Sequence, residues 1–354
     1  MGPRKRLIAG LLMTPLLLLA ACTSGGNSGS GSDSGGGGGA GCSYTFAVIT
    51  HGDNGNFWSV VYKGAKDAAK DYGCKLSEVY GSQQQGQAEP DDNAENAQIQ
   101  DAVNQKVDGI AVSDHDPSVM NSTLASASAA GIPVVLINAG CDDQDIAASK
   151  AITCVGQPES LAGQKAGQRF AKENAGNVLC VIHQSGQNLL DRCNGLAQGL
   201  GIPGGKCSTG NAPASGPGCT ELILSTPNAA SNPQQAIGQV TSYLQTHPGI
   251  NAVMTLNNAI GQALVAAKPA NVKIATFDLD SDVENDLQAS PPTMDFAVDQ
   301  QQYLQGYLPI TFLYLYKKHE GNSAGGGSTV PSGPLLVDQT NIKSVAAAIN
   351  AGDD

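Results

Sequence analysis

The sequence predicts an α/β protein made of two doubly wound parallel-sheet lobes. Short apolar segments alternate with amphipathic helical segments from residue 44 onward, and the connections between them are short. This alternation is typical of a parallel sheet that helices cover on both faces. The alternation restarts near residue 151 as a second set of similar size. Two such sets in a chain of this length predict two lobes with a cleft between them.

The first set of elements begins with the apolar run YTFAVI, which is typical of a buried strand. Pro90 and Pro117 stand at helix starts, and Gly131 follows a helix end, as helix boundaries favour. The predicted strands of this set are 44–49, 75–80, 109–112 and 133–137, and its predicted helices are 57–72, 91–103 and 117–130.

The second set follows the same pattern, with Pro309 expected to kink one long helix. Ligands of open α/β sheets bind at the carboxyl ends of the strands, so polar residues that follow strands are the site candidates. The predicted strands are 151–155, 177–182, 221–224, 252–256, 273–277, 295–298 and 335–337, and the helices are 159–173, 189–199, 233–246, 260–267, 303–318 and 343–351.

The N-terminus predicts a signal peptide over residues 1–21. A basic head at 4–6 precedes an apolar stretch at 7–19 that is too short to span a bilayer. The small residues before Cys22 resemble the lipobox of bacterial lipoproteins. That resemblance implies cleavage before Cys22 and lipid attachment to its sulfur. An ordinary secretory signal followed by a chance cysteine is the alternative.

Residues 22–42 predict a flexible tether, because the segment is almost wholly Gly and Ser and has no apolar side chains to bury. A lipidated chain of this kind is expected at the cell membrane, anchored by lipid on the extracytoplasmic face. The sequence carries a net charge of −12, and loss of the basic head would leave −15. Nucleic acid is therefore disfavoured as a partner, since proteins bind its phosphates through clustered Lys and Arg side chains.

Eight cysteines follow Cys22, and an even number outside the cytosol argues for disulfides. Their order along the predicted elements favours sequential pairing. A zinc site is the rival interpretation, but no Cys-x-x-Cys pair occurs, so no metal is expected. No cofactor is expected either. The expected pairs are Cys42–Cys74, Cys141–Cys154, Cys180–Cys193 and Cys207–Cys219.

Several strand ends together resemble the pentose/hexose-type periplasmic binding proteins of ABC importers, the ribose- and galactose-binding group. The first loop is similar to that family's Asn-Pro-Phe-Trp element, although Gly55 precedes Asn56 and no proline is present. The similarity covers most of 44–337 in the same order. The other matching segments are KVDGI at 106–110, SDHDP at 113–117, AGIPV at 130–134, FD at 277–278 and DQ at 299–300.

The resemblance implies a type I periplasmic binding protein fold, in which a three-crossover hinge joins the two lobes. The crossovers are expected near 137–140, 299–301 and 332–335. The N-terminal lobe would then comprise 43–138 plus 301–331, and the C-terminal lobe 140–298 plus 335–354. With sequential pairing, no disulfide would join the lobes, and closure about the hinge would stay free.

The resemblance also implies a sugar site of planar polar side chains around the ring edge and aromatic rings against its faces. Asp116 could instead serve only as a helix N-cap, with Asp114 its nearest substitute. Which of Asn257 and Asn258 faces the cleft stays open, and Asn138 could be ligand or hinge support. The candidate ligand-binding residues are Asn56, Phe57, Trp58, Asp116, Asn138, Arg192, Asn257, Asn258, Asp278 and Gln300.

Four residues that follow strands depart from the better-known ribose-binding pattern: His51, His115, Gln157 and His183. A neutral imidazole can donate and accept hydrogen bonds at once, so a hydroxyl-binding role is one interpretation. A solvated loop histidine is the other. These departures leave the ligand open among pentoses, hexoses, polyols and other small polar molecules.

The expected function is therefore capture of a monosaccharide or polyol by a monomeric, lipid-anchored binding protein, and its delivery to ABC permease subunits. A ligand-sensing lipoprotein that partners a sensor kinase is an alternative with the same fold. A secreted carbohydrate-active enzyme is a further alternative, which would need two suitably placed carboxylates. No Gly-x-Ser-x-Gly, His-Glu-x-x-His or P-loop motif supports an enzyme.

Overall fold

The computed structural model describes residues 42–52, 55–78, 81, 90–209, 217–321 and 325–354. The predicted signal peptide, the lipidation site Cys22, most of the tether and the end of the strand at 75–80 lie outside these residues. The strands are β1 Thr45–Ile49, β2 Lys75–Glu78, β3 Gly109–Val112, β4 Val134–Ile137, β5 Thr153–Gly156, β6 Asn177–Ile182, β7 Gly218–Ile223, β8 Ala252–Thr255, β9 Lys273–Phe277, β10 Phe296–Asp299, β11 Thr329–Pro331 and β12 Leu335–Val337.

The helices alternate with these strands along the chain. In order, they are α1 Asn56–Tyr72, α2 Asp92–Asn104, α3 Pro117–Ala129, α4 Asp143–Ser149, α5 Glu159–Lys172, α6 Gln187–Gly199, α7 Pro233–Thr246, α8 Asn258–Ala267, α9 Ser281–Gln288, α10 Gln302–Lys318 and α11 Ala346–Ala351.

Within the described residues the strands form two six-stranded sheets. The first has the order β11-β5-β4-β3-β1-β2 and is parallel throughout. The second has the order β12-β10-β9-β8-β6-β7 and is parallel except for β12, which runs antiparallel to β10. Strands β3, β4, β6 and β8 are buried along their whole length, as expected for sheets covered on both faces. The predicted fold class is confirmed.

The structure moves the first lobe boundary. The strand predicted at 151–155 was expected to open the C-terminal lobe, but it forms β5 and pairs with β4 in the first sheet. The chain therefore first passes between the sheets at 157–158, not near 137–140. The short helix α4, which the sequence pattern missed, joins β4 to β5, and the pairing of these two strands places both in the first sheet.

The other two crossovers lie where they were expected. The chain passes from β10 to α10, which packs on α1 beside the first sheet, and returns from β11 to β12 at 332–334. The buried amide of Gln305 connects these passages. Its Nε2 donates to the carbonyl oxygen of Gln300 at 3.2 Å and to the Ser332 hydroxyl at 3.1 Å, while its Oε1 accepts from Asn138 at 3.2 Å. One α10 side chain thus ties the two crossovers to the end of β4.

The eight described cysteines pair in sequential order, as predicted. Cys42–Cys74 and Cys141–Cys154 join segments beside the first sheet, and the other two pairs join segments beside the second. None of these four bonds links one sheet to the other.

Helices α1 and α10 approach each other closely through two glycines. A Cβ at Gly64 would overlap the carbonyl oxygen of Tyr303, and a Cβ at Gly306 would overlap that of Val61. These contacts bring the backbone of α10 against α1 and so position the helix that carries Gln305.

We expect Gly64→Ala to lower the free energy of unfolding by about 2 kcal/mol, because the added methyl group meets backbone that must shift. Gly238→Ala is the control, since Gly238 is exposed in α7 with open space where its Cβ would lie. This control should raise stability by up to about 1 kcal/mol, as Ala favours the helix over Gly. Urea unfolding of both variants measures the effects, and equal stabilisation by both would contradict the close approach.

Candidate functional site

A cavity of about 220 Å³ lies where strand ends of the two sheets face each other. Polar side chains from the loops after β1, β4, β6, β8, β9 and β10 line it. These are the carboxyl ends of the strands, where open α/β sheets bind ligands. Of the predicted residues it brings together Asn56, Phe57, Trp58, Asn138, Arg192, Asn257, Asn258, Asp278 and Gln300.

Arg192 is the only Lys or Arg among the described residues that line this cavity, and its side chain is 3% exposed. Its guanidinium donates to both carboxylate oxygens of Glu159, at 2.7 and 2.8 Å, and to Gln300 Oε1 at 2.8 Å. It also lies over the ring of Phe277, 4.4 Å from the centroid. Burial alone would lower the pKa of Arg192, but Glu159 and then Asp278 raise it above its ordinary value.

Asp278 follows β9 and is the only carboxylate among the described residues that line the cavity. Its Oδ1 accepts from Gln300 Nε2 at 2.6 Å. Burial raises its pKa from 3.8 to about 7, although Arg192 and Gln300 act in the opposite direction. Its backbone is left-handed, with φ 73°, a conformation that Asp and Asn adopt more readily than most residues. The carboxyl group is thus held in the cavity and poorly solvated.

Aromatic side chains from the first lobe form one wall. Trp58 is 7% exposed and contacts Phe57 and His51 edge to face, with ring centroids 4.9 Å apart in both pairs. Gly52 leaves the space for the indole, because a Cβ there would overlap Trp58 Nε1. This wall can provide an apolar surface for the C–H face of a ring.

Two histidines reach the cavity from opposite sheets, and both are neutral. Burial, and then the neighbouring His115, lower the pKa of His51 well below 6.5. Burial, and then Arg192, lower the pKa of His183 to about 3. His51 Nδ1 lies 2.8 Å from the Ser113 hydroxyl. His183 Nδ1 has no hydrogen-bond partner in the described part of the chain, so it is available to a hydroxyl group of a ligand.

Three asparagines contribute amides at strand ends. Asn138 follows β4 in a left-handed conformation, with φ 62°, and donates to Gln305, so it lines the cavity and supports the hinge at once. Asn257 and Asn258 both line the cavity. Asn257 Oδ1 caps α8 by accepting from the amide of Ala259 at 2.9 Å, and Asn258 Nδ2 donates to Asp280 at 2.8 Å.

Asp116 is not among the residues that line the cavity. Its Oδ1 accepts from the Ser118 backbone amide at 3.0 Å and from the Ser118 hydroxyl at 2.6 Å. It therefore caps α3, the alternative that its position before Pro117 had left open. The preceding residue, His115, contacts both lobes: its Nδ1 lies 2.8 Å from Asp92 in α2, and its Nε2 lies 3.3 Å from the carbonyl oxygen of Ser185 in the second lobe.

Sequence reasoning did not single out Glu159, Asn188 or Asn228, whereas it did name Gln157. Glu159 lies in the first turn of α5 with no sequence signal that it pairs with Arg192. Gln157 lies at the first crossover and donates to Glu159 at 2.7 Å. It does not line this cavity, and it instead helps to hold the carboxylate that pairs with Arg192. Asn228 lines the cavity from an irregular segment after β7, and its buried Nδ2 has no partner among the described residues. Asn188 in the first turn of α6 also lines it.

The described residues contain no group of three or more His, Cys, Asp or Glu side chains arranged to hold a metal ion. No helix within the described ranges is long and apolar enough to cross a membrane.

Comparisons with known proteins agree with this architecture. The family model described as "Periplasmic binding protein domain" matches residues 46–321. A carbohydrate transporter from Acidothermus cellulolyticus 11B, solved in complex with myo-inositol, is 33% identical with a TM-score of 0.75, over 88% of this chain and 100% of that one. A solute-binding protein from Burkholderia graminis, solved with D-arabinose, shares the fold at 20% identity and a TM-score of 0.67. The match covers 85% of this chain and 97% of that one.

Among curated proteins, the xylose/arabinose-binding protein XylF of Sulfolobus acidocaldarius is 26% identical over 234 residues, which are 61% of this chain. The match spans about half of that relative, 53% of its length. Two lobes with a polar cavity between their strand ends define a solute-binding architecture. The chain belongs to the periplasmic binding protein domain family, with the type I fold.

The raised pKa of Asp278 predicts a pH-dependent stability. The folded protein keeps this proton up to about pH 7, whereas the unfolded chain releases it near 3.8, so folding loses stability as pH rises through that window. Asp278→Asn does not titrate. We expect its free energy of unfolding, relative to the unmodified protein, to rise by up to about 1.4 kcal/mol per pH unit between about pH 4 and pH 7.

Urea unfolding across that pH range measures this difference. Asp282→Asn is the control, because Asp282 is an exposed residue on the neighbouring helix α9. A flat difference for Asp278→Asn would mean that Asp278 is already ionised throughout the range.

Proposed function

We propose that this protein captures one neutral monosaccharide or polyol in the cavity between its lobes and delivers it to the permease subunits of an ABC importer. The supporting observation is the set of side chains that face the cavity: one carboxyl group, one arginine, several amides and two neutral histidines, beside an aromatic wall. Such a set matches a molecule with hydroxyl groups around its edge and C–H groups on its faces.

The size of the cavity supports a single ring. Sites for drug-sized ligands measure roughly 300–1,000 Å³, and this one is about 220 Å³. A molecule of one six-membered or five-membered ring suits that volume, whereas an oligosaccharide would have to extend beyond it.

The charges favour a neutral ligand. Glu159 neutralises Arg192 through two hydrogen bonds, so little of the arginine charge is left to attract an anion. Asp278 can accept from ligand hydroxyl groups, and Asn228 Nδ2 is a buried donor without a described partner. The relatives point to the same ligand class, because one was solved with myo-inositol and another is named for xylose and arabinose. We therefore propose cyclitols and pentoses as the first ligands to test.

A glycosidase is less well supported. Retaining and inverting enzymes need two carboxyl groups on either side of the scissile bond. Asp278 is the one carboxylate on the described wall of this cavity, and the oxygens of Glu159 are engaged by Arg192 and Gln157. One relative is described as a carbohydrate transporter and another as a xylose/arabinose-binding protein. A sensor output would use the same cavity and differ only in the membrane partner.

Closure of the lobes around the ligand completes the proposal. The four described disulfides leave the sheets free to move relative to each other. The hinge lies in the three crossovers, and the permease would recognise the closed monomer. Energy for transport would come from ATP hydrolysed by other subunits, and the binding protein itself would leave the ligand chemically unchanged.

Asp278→Ala should weaken binding of the cognate sugar or polyol by about 2–4 kcal/mol, because ligand hydroxyl groups lose a buried acceptor. Calorimetric titration with myo-inositol, arabinose, xylose, ribose and galactose identifies the ligand and then measures the loss. Asp282→Ala on the exposed face of α9 is the matched control and should bind normally. Unchanged affinity in Asp278→Ala would remove this residue from the site, and no binding to any polyhydroxy compound would refute the proposal.

We also propose that Cys22 carries the lipid that holds the protein at the extracytoplasmic face of the membrane. Cys22→Ala should release the protein into the soluble fraction of the cell envelope or the medium, because one covalent anchor is lost. Membrane fractionation followed by immunoblotting checks this, with Cys42→Ala as a control that leaves the anchor in place. Retention of Cys22→Ala on the membrane would contradict a lipid anchor at this residue.

A further inference from the structure

A second cavity, of about 490 Å³, adjoins the first, and Asn138 and Asn188 line both. Residues from both lobes line it, and five of them carry carboxyl groups. Among the described residues no Lys or Arg lines it. The carboxylates that line it are Asp114, Asp142, Asp145, Glu159 and Asp191.

Asp114 is the decisive residue of this second cavity. It follows β3, its side chain is 0% exposed, and neither carboxylate oxygen has a hydrogen-bond partner among the described residues. Burial, with added repulsion from Asp145, Asp116 and then Asp92, raises its pKa to about 7. A buried polar group without a partner is costly, and native structures rarely keep one that no ligand, water or ion satisfies.

The neighbouring charges do not compensate Asp114. Arg192 does not line this cavity, and its guanidinium group is engaged by the carboxylate of Glu159 through two hydrogen bonds. His115 lines the cavity, but its Nδ1 is engaged by Asp92. Asp142 accepts from the backbone amide of Asp145 at 2.7 Å, a hydrogen bond that leaves its negative charge in place. The cavity is therefore lined by several carboxyl groups and by no described Lys or Arg, and the oxygens of Asp114 are acceptors without a described partner.

We propose that this second cavity binds an organic ammonium group, which donates hydrogen bonds to Asp114. An ammonium group has three N–H donors, so it can donate to several of the carboxylates that line the second cavity. A bare metal ion fits less well, because the described residues offer no group of three protein ligands arranged around one point. The ammonium group can come from a free diamine or from an amino substituent on a sugar in the adjoining cavity, since Asn138 and Asn188 are shared.

Putrescine and 1,4-butanediol test the proposal as a matched pair of probes, because they have the same carbon chain and differ in charge. At about pH 8, above the pKa of Asp114, calorimetry should detect putrescine binding and no butanediol binding. Asp114→Asn should weaken putrescine at least tenfold. Asp143→Asn is the control variant, since Asp143 is exposed on α4 outside the cavity, and it should bind putrescine normally.

The source of the ammonium group is decided by comparing D-glucosamine with D-glucose. A preference for glucosamine that Asp114→Asn removes assigns the site to a substituent of the sugar, whereas putrescine binding without that preference assigns it to a separate amine. Equal binding of putrescine and butanediol, full putrescine affinity in Asp114→Asn, or calcium chloride binding in place of putrescine would overturn the proposal. If Asp114→Asn does not fold, Asp145→Asn takes its place. Neutral-sugar titration of the same variants reports separately on the first cavity.

Discussion

The buried positive charge of Arg192 is the constraint on which the site depends. A guanidinium group that is taken out of water must be paired, and loss of one partner of such a pair is strongly destabilising. Glu159 supplies the opposite charge from the first turn of α5, just after the chain enters the second lobe. Gln300, at the second crossover, accepts a hydrogen bond from Arg192 through its Oε1 and donates one to Asp278 through its Nε2. The position of the Asp278 carboxyl group is thus set by hydrogen bonds and charge pairing that reach two of the three crossovers.

The hinge and the cavity also share side chains. Asn138 lines the cavity while it donates to Gln305, and Gln305 in turn binds the crossover backbone at Gln300 and the hydroxyl of Ser332. Asn138 is therefore tied through Gln305 to two of the crossovers about which the proposed rotation of the lobes would occur. Ligand contacts that favour one arrangement of these amides would favour one lobe angle, which is how binding energy can be converted into closure.

Local sequence pattern was sufficient for most of the elements and most strand-end residues, although it missed the short elements α4, α9 and β11. An apolar run followed by a polar residue places that residue at the carboxyl edge of a sheet, which is why Asp278, Asn257 and Gln300 were found. The pattern could not assign β5 to a sheet, because a buried strand has the same composition in either lobe and only pairing with β4 decides. Glu159 escaped because its role depends on a partner 33 residues away, on another helix. The position of Asp116 before Pro117 fitted both a helix N-cap and a ligand-binding residue. The hydrogen bonds that Asp116 accepts from Ser118 show that it caps α3.

The interleaving of the lobes also governs the order in which the chain can fold. The first sheet obtains its edge strand β11 and its covering helix α10 from residues that follow almost all of the second lobe. The N-terminal segment cannot complete its core until nearly the whole polypeptide is available, and its closing contacts span long sequence separations, which slows folding. Neither lobe is a separable module, so cleavage at one crossover would leave both halves incomplete.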